Sequence, residues 1–116
     1  MPRDEATLLD IAKSIRLVQK FSEGMDYADF MNDVKTQSAV LHQLLVLGES
    51  VKRLSSDFRD AHPEVPWRLI AGMRDKLIHH YDSVDLDEVW RVVERDVPHL
   101  AEQIVPLLPS QDEVSG

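Results

Sequence analysis

The sequence predicts an all-α fold, an antiparallel bundle of four long helices and one short helix. Apolar residues recur at three- and four-residue spacing through most of the 116-residue chain, which is the period of helices with one buried face. The chain contains no strand-length alternation of apolar and polar residues. Short connections between the helical segments favour antiparallel packing of successive helices.

Two long helices are predicted in the first half of the chain. The first ends at Gly24, a residue type common at helix C-termini. The second runs for about seven turns to Leu54, and Gly48 lies within its apolar stripe, where glycine costs stability relative to alanine. We therefore expect a neighbouring helix to approach closely at Gly48. The two stripes are Leu8, Ile11, Ala12, Ile15, Val18 and Phe21, and then Phe30, Met31, Val34, Leu41, Leu44, Leu45, Gly48, Val51 and Leu54.

A short helix and two more long helices are predicted in the second half. Ser55 to Asp57 offer N-caps for a short helix over residues 58–61, and Pro63 prevents it from continuing. The next helix is predicted over about 66–81, with a proline in its first turn. Its apolar stripe consists of Trp67, Ile70, Leu77 and Tyr81, with Arg74 among them.

The last long helix is predicted to begin with Asp85 or Asp87 as its cap. Pro98 removes a backbone donor and is expected to kink this helix. Pro106 and Pro109 are expected to end it. The apolar stripe is Leu86, Val89, Trp90, Val93, Val97, Leu100, Ile104 and Leu107.

Length and composition indicate one domain of a soluble protein. An apolar fraction of 43% over 116 residues fits a single core. We expect the domain to span residues 5–108 and a disordered polar tail to span 109–116. Cysteine is absent, the N-terminus lacks a secretion-signal pattern, and no apolar run approaches the roughly 18 residues of a membrane span. The expected location is therefore the cytoplasm, with no membrane partner.

The net charge of −8 argues at first sight against binding nucleic acid, because phosphate neutralisation drives such binding. The charge is unevenly distributed, however. Residues 52–76 carry six basic and four acidic groups, whereas residues 82–116 carry two basic and nine acidic groups. The middle segment is therefore compatible with an RNA site, although most of these charges are expected to be solvated helix faces.

One dense polar stretch, residues 74–82, is the candidate for chemistry, because phosphate loops, serine-nucleophile elbows and zinc-protease motifs are absent. Arg74 shares a helix face with apolar residues. One interpretation is structural, with Arg74 extending to solvent or pairing with a carboxylate such as Glu49. The other is functional, because a guanidinium at an open seam binds two phosphate oxygens at once.

His79 and His80 are the candidate proton-transfer groups. Tandem histidines near a helix end are often exposed or structural, and adjacent residues point about 100° apart, which suits a metal poorly. An imidazole titrates close to neutral pH and can therefore act as a general base. A base for the ribose 2′-hydroxyl and a cation for the phosphoryl oxygens suffice to cleave RNA without a metal or cofactor.

The spacing of Arg74 and His79 favours a homodimer. Five residues separate them, so they diverge by about 140° on a straight helix. One chain cannot easily hold a single phosphate with both side chains. In a symmetric dimer, residues near the two-fold axis converge on one cleft, and a monomer would be inactive. Tyr81, on the face of Arg74, either packs or presents its hydroxyl at that cleft.

The pattern Arg-x4-His-x-Tyr, here Arg74, His79 and Tyr81, resembles the signature of the HepT toxins of the HEPN (higher eukaryotes and prokaryotes nucleotide-binding) superfamily. The likeness covers roughly residues 5–108. Family members commonly have Asn where this chain has Asp75, a carboxylate that either pairs with Arg74 and weakens phosphate binding or orients a histidine. The stretches that carry the wider resemblance are Leu47–Ser55, His62–Arg68, Ile70–Arg74 and Val84–Trp90.

The resemblance implies a HEPN-type helical bundle that forms a homodimer, with the site at the dimer cleft. It implies the toxin of a bacterial type VII toxin–antitoxin pair, a metal-independent endoribonuclease that cleaves tRNA or mRNA to a cyclic phosphate and a 5′-hydroxyl. Arg74 and His79 would be the catalytic pair. The partner would be a minimal nucleotidyltransferase antitoxin of the MNT type, which transfers AMP to Tyr81 and so silences the toxin. Candidate supporting residues are Glu49, Asp75 and His80.

Two other interpretations stay open at this point. The chain is alternatively a non-catalytic adaptor or substrate of the nucleotidyltransferase, which the acidic balance and Asp75 favour. In a purely structural interpretation, Arg74 and His79 only stabilise the dimer.

Overall fold

The computed structural model describes residues 2–109, which form six helices joined by short connections. Single 3₁₀ turns, Tyr81–Ser83 and Val105–Leu107, follow the last two of these helices. The predicted all-α fold with four long helices is confirmed. The helices are α1 (Pro2–Phe21), α2 (Tyr27–Met31), α3 (Val34–Arg53), α4 (Ser56–Ala61), α5 (Trp67–His79) and α6, which joins α-helical Leu86–Arg91, a π-helical turn Val92–Asp96 and α-helical Val97–Ile104.

Helix α3 lies at the centre of the bundle and packs along both α1 and α5. Helix α6 closes the core against α1, and the short α2 contacts both α3 and α6. The α2 contact brings the rings of Phe30 and Trp90 to a centroid distance of 5.3 Å. The largest fully buried side chains are Phe30, Leu8, Ile11, Leu44, Leu47 and Ile104.

The predicted second helix is wrong in one respect, because two helices occupy its place. Helix α2 ends at Met31, and α3 starts only at Val34. The Asp33 carboxylate accepts a hydrogen bond from the Thr36 N–H at 3.0 Å and so caps a new helix. Val34, assigned to the buried stripe, is 72% exposed at the start of α3. The domain therefore has two short helices, not one.

The connection after α1 and the connection between α3 and α4 both follow the sequence signals. Gly24, with φ of 76°, lies in the loop that follows α1, a conformation that glycine adopts without strain. Ser55 caps α4, and its hydroxyl donates to the buried carboxylate of Asp4 at 2.8 Å. The Ser55 N–H donates to the same carboxylate at 2.9 Å, and these bonds lower the pKa of Asp4. These two hydrogen bonds hold the start of α1 against the connection between α3 and α4.

Helix α6 is capped by Asp85 rather than Asp87, since the Asp85 carboxylate accepts from the N–H groups of Asp87 and Glu88. Pro98 is accommodated by the π-helical turn that precedes it, in which the Val97 N–H donates to the Val92 carbonyl five residues earlier. The wider turn is a known adjustment of a helix to a missing donor or inserted residue. The helix ends at Ile104, next to Pro106 as expected.

Helix α5 is shorter than predicted. It starts at Trp67, with Pro66 as its N-cap, and ends at His79, with His80 as its C-cap. Tyr81 therefore lies in the following 3₁₀ turn and not on the helical face of Arg74, which corrects the predicted position. Within residues 2–109, no helix is both long and apolar enough to cross a membrane. The predicted tail, from Ser110 onwards, lies outside the described residues.

Candidate active site

Arg74 is positioned by a close crossing of α5 over α3. A Cβ atom added to Gly48 of α3 would lie 2.2 Å from the Arg74 Cβ and 3.2 Å from the Ile70 carbonyl oxygen. Neither of those atoms can move without moving the α5 backbone, so glycine is required at position 48. The predicted close approach at Gly48 is confirmed, and the residue that approaches is the arginine of the motif.

The guanidinium of Arg74 is held by two carboxylates. Its Nη2 atom lies 2.9 Å from Glu49 Oε2, and its Nη1 atom lies 3.1 Å from Asp75 Oδ1. Lys52 completes the cluster, with its Nζ 2.6 Å from the same Asp75 oxygen. The Arg74 side chain is 27% exposed, so the group is paired at the edge of the bundle and not buried. We call Glu49, Lys52, Arg74 and Asp75 the charge cluster.

The charge cluster keeps Asp75 ionised. Hydrogen bonds from Lys52 and then from Arg74 lower the pKa of the Asp75 carboxyl below its ordinary value. Two cations and two anions also balance, so the cluster adds little net attraction for a phosphate. The pairing of Asp75 with Arg74, one of the two roles considered for this departure from the family pattern, is therefore present. Among the described residues, Asp75 makes no hydrogen bond or ion pair with a histidine.

Lys52 is the member of the cluster that sequence reasoning missed. It was counted only as one of the basic residues of the middle segment. Glu49 and Lys52 are three residues apart on α3 and therefore share a helix face. That spacing was the available signal, but the approach of α5, which brings Asp75 to Lys52, cannot be seen in a one-dimensional pattern.

His79 lies at the last position of α5 and is exposed to solvent. Helix α5 is continuous from Arg74 to His79, so the two side chains leave it about 140° apart. Within residues 2–109, His79 makes no side-chain hydrogen bond or ion pair, and none links it to the charge cluster. One chain therefore does not bring the proposed base and the guanidinium together.

His80 and Tyr81 follow at the end of the helix. His80 lines a cavity of about 370 Å³ between α5 and α6, together with Leu44, Leu77 and Val89. Tyr81 is 48% exposed, and its hydroxyl has no hydrogen-bond partner among the described residues. The motif tyrosine is therefore open to a second molecule.

The outer face of α5 carries residues that no other part of residues 2–109 covers. Leu69 is 75% exposed, and a Cβ added to Gly72 would meet no heavy atom within 4 Å. Leu69, Gly72 and His79 lie within about 80° of one another around the helix axis. We call these three residues the outer face of α5. Gly72 inside a helix costs stability, and no contact within the chain accounts for it.

These residues can bind an oxyanion through the guanidinium of Arg74 and transfer a proton through the imidazole of His79. The guanidinium has donors left over after its two carboxylate contacts, because arginine carries five. Within the described range 2–109, no three His, Cys, Asp or Glu side chains cluster as a metal site requires.

The chain is similar over nearly its whole length to proteins named as probable or putative ribonucleases. It matches a family described as "Ribonuclease HepT-like" over residues 11–107. It is 46% identical over 93 residues to "Probable ribonuclease HepT" of Thermococcus cleftensis, which spans 80% of this chain and 84% of that protein. A "Putative RNase" of Methanocaldococcus jannaschii is 38% identical over 120 residues, 99% of each chain. A "Putative RNase" of Caldanaerobacter subterraneus is 38% identical over 89 residues, 77% of this chain and 80% of that protein. No solved structure matches the chain.

Proposed function

Because the chain belongs to the HepT-like ribonuclease family, we propose that it is the toxin of a type VII toxin–antitoxin pair and a metal-independent endoribonuclease. Arg74 and His79 are its catalytic pair, brought together in the cleft of a homodimer. The observation that carries this proposal is the state of Arg74. The base of its side chain lies against Gly48 and its guanidinium is held by two carboxylates, yet the side chain stays partly exposed at the edge of the bundle.

Cleavage proceeds by attack of the ribose 2′-oxygen on the adjacent phosphorus. The imidazole of His79 takes the proton of the 2′-hydroxyl as the O2′–P bond forms. Negative charge builds on the phosphoryl oxygens, and the guanidinium of Arg74 stabilises it. The P–O5′ bond breaks, and the 5′-oxygen takes up a proton from water, while the His79 imidazolium returns its proton to the solvent. The products are therefore a cyclic phosphate and a 5′-hydroxyl. No step needs a metal ion or a cofactor, and tRNA or mRNA is the substrate.

The outer face of α5 supports the homodimer. An exposed leucine beside an uncovered glycine is what a close helix-to-helix contact between two copies requires. A contact along this face places His79 of each protomer near the two-fold axis. Arg74 points about 160° away from Gly72 around α5, so its guanidinium lies at the margin of this contact. The RNA strand passes from the phosphate held at that margin to the imidazole of the second copy. A monomer is therefore inactive.

Tyr81 is the site of control by the antitoxin. The partner is a minimal nucleotidyltransferase of the MNT type, which transfers AMP to the exposed Tyr81 hydroxyl. The adduct adds a bulky anion two residues from His79, where it repels the RNA backbone and occupies its space. The exposure of Tyr81 and the lack of a hydrogen bond to its hydroxyl within the described residues support this role.

Exchange of His79 for alanine tests the catalytic assignment. The variant His79→Ala is expected to lose at least about 100-fold in cleavage rate, the usual contribution of a general base, while its melting temperature stays unchanged. Because His79 lies on the proposed subunit contact, cleavage is compared at a protein concentration at which sedimentation shows both proteins to be dimeric. His99→Ala is the matched control, because His99 is an exposed histidine on α6, away from the motif. Cleavage by His79→Ala at the rate of the unmodified chain would end the assignment.

A second candidate function is a non-catalytic adaptor or substrate of the nucleotidyltransferase. The balanced charge cluster favours it, because Glu49 and Asp75 already occupy the guanidinium that must bind phosphate. Purified dimer incubated with total RNA and a chelator separates the two functions. Fragments with cyclic-phosphate ends support the nuclease, and intact RNA at high protein concentration supports the adaptor.

A further inference from the structure

The basic residues of the middle segment differ in whether a carboxylate neutralises them. Of the six in residues 52–76, four form ion pairs: Lys52, Arg53, Arg74 and Lys76. Within residues 2–109, the remaining two, Arg59 and Arg68, have no carboxylate oxygen within 4.0 Å. The unneutralised positive charge of this segment is therefore confined to two guanidinium groups.

Both groups line one concavity, of about 510 Å³, at the corner between α4 and α5. The Nε atom of Arg59 is buried there and has no hydrogen-bond partner among the described residues, a state that costs free energy unless a ligand supplies an acceptor. Asp60 is the one carboxylate among the lining residues, so two positive charges face one negative charge. No side chain caps the start of α5, which borders the same space. The concavity therefore favours an anion.

The chemistry of the walls indicates a phosphate and not a nucleobase. The ring of Trp67 is 6% exposed, and its Nε1 donates to the His62 carbonyl at 2.9 Å, so it offers no stacking surface. Guanidinium groups pair with phosphate oxygens through two parallel hydrogen bonds. Arg68 lies six residues before Arg74 on α5, a rise of about 9 Å, or a few nucleotides of a strand.

We propose that the concavity lined by Arg59 and Arg68 binds a phosphodiester of the RNA strand that flanks the scissile linkage, and so acts as a second substrate-binding site. This inference rests on the proposed function, since the ligand is the substrate of the nuclease. It explains how a chain with a net charge of −8 and a neutral charge cluster holds RNA. The strand is held at this corner, and the charge cluster receives only the reacting phosphate.

Binding of a single-stranded RNA with 2′-O-methyl riboses, which cannot be cleaved, measures this site independently of catalysis. The double variant Arg59→Gln, Arg68→Gln is expected to bind this RNA about tenfold more weakly at physiological salt and to lower the slope of log affinity against log salt by about 1.4. Arg91→Gln, Arg95→Gln is the matched control, because it removes two exposed arginines that have no ion pair within the described residues. The control is expected to change the affinity less than twofold.

Cleavage gives the second readout. The double variant is expected to raise KM for a long RNA about tenfold with kcat retained, and to cleave a dinucleotide, which cannot reach the corner, at the rate of the unmodified chain. Arg68→Gln alone covers the case in which loss of the partly buried Arg59 unfolds the protein, because Arg68 is exposed in the single chain. Arg68 projects within about 40° of Gly72 around α5, so the affinity of this variant is measured at a protein concentration at which it is fully dimeric. Equal affinity of Arg68→Gln and the unmodified chain, or equal losses in the control pair, would overturn the proposal. An unmodified dimer that binds the RNA but does not cleave it contradicts the proposed function and leaves this site supported.

Discussion

On its inner side α5 approaches α3 so closely that a single methyl group at Gly48 would collide with Arg74, whereas on its outer side the methyl group of an alanine at Gly72 would meet nothing. Both residues are glycines inside long helices, where glycine costs up to about 1 kcal/mol relative to alanine. The fold of one chain accounts for the first glycine and gives no reason for the second. For the second glycine, we infer the subunit contact of the proposed homodimer as the reason.

The same contrast separates the two catalytic candidates. Arg74 belongs to the inner side, where Glu49 and Asp75 fix its guanidinium within one chain. His79 belongs to the outer side, where it is exposed and makes no polar contact with the described residues. The guanidinium part of the proposed site is thus formed within one chain, whereas the imidazole part needs the second copy of the proposed dimer. Substitutions on the inner side are therefore expected to destabilise the single chain, and substitutions on the outer side are expected to weaken the proposed dimer.

The largest effect is expected from Gly48→Ala. The added Cβ would lie 2.2 Å from the Arg74 Cβ, so the two helices must separate. Overpacking of this kind costs about 3 kcal/mol, and displacement of the guanidinium abolishes cleavage as well. Urea unfolding measures the first effect and RNA cleavage the second. A Gly48→Ala protein of unchanged stability and activity would show that the crossing is looser than the structure indicates.

Gly72→Ala is the matched change on the outer side. It is expected to stabilise the single chain, whereas Gly48→Ala destabilises it. Alanine improves helix propensity by up to about 1 kcal/mol and meets no atom of the same chain. In the dimer the methyl group intrudes on the contact, so the dissociation constant is expected to rise about tenfold. Cleavage then falls at low protein concentration and recovers at high concentration.

Sedimentation velocity across a range of protein concentrations checks the Gly72→Ala prediction. Leu9 supplies the control, because it is an exposed apolar residue on α1, outside the proposed contact, and Leu9→Ala is expected to leave the dimer unchanged. An unchanged dimer and unchanged cleavage in Gly72→Ala would remove the outer face of α5 as the subunit interface.

The sequence was sufficient to predict the elements that depend on local signals. Helical period located the four long helices, Gly24 marked the end of α1, and Gly48 indicated a close crossing. The break between α2 and α3 was missed because the apolar period continues across it, while the caps at Asp26 and Asp33 are short-range hydrogen bonds that override it. Periodicity reports which face is buried, and it does not report where a side-chain cap interrupts the helix.

The site was predictable in its residue types and not in its arrangement. Pairing of Arg74 with Glu49 was one of two interpretations, and the structure contains it. The contact of Lys52 with Asp75 depends on the relative position of two helices, which no pattern within either helix specifies. The same limit applies to the position of His79 relative to a second copy.

Asp75→Asn is expected to have a smaller effect and to strengthen activity. The amide keeps the shape of the side chain but removes one negative charge beside Arg74, so the charge cluster gains a net positive charge. KM for RNA is expected to fall about threefold, a change typical of one exposed charge, with kcat unchanged. Asp96→Asn, which removes an exposed carboxylate on α6 that has no ion pair within the described residues, is the control for the loss of a negative charge in general. A rise in KM would mean that Asp75 assists substrate binding.

The smallest effect concerns pH, and it decides between the two roles considered for Asp75. Its lowered pKa means that the carboxylate stays ionised well below neutral pH, so its ion pairs contribute fully above its ordinary range and are lost only as the pH falls through the lowered value. Between about pH 5.5 and pH 8 the residue does not titrate. The ratio of kcat/KM between Asp75→Asn and the unmodified chain is therefore expected to stay constant across that range. A ratio that changes with pH would mean that Asp75 interacts with a group that titrates in this range. In this motif that group would be a histidine of the second copy.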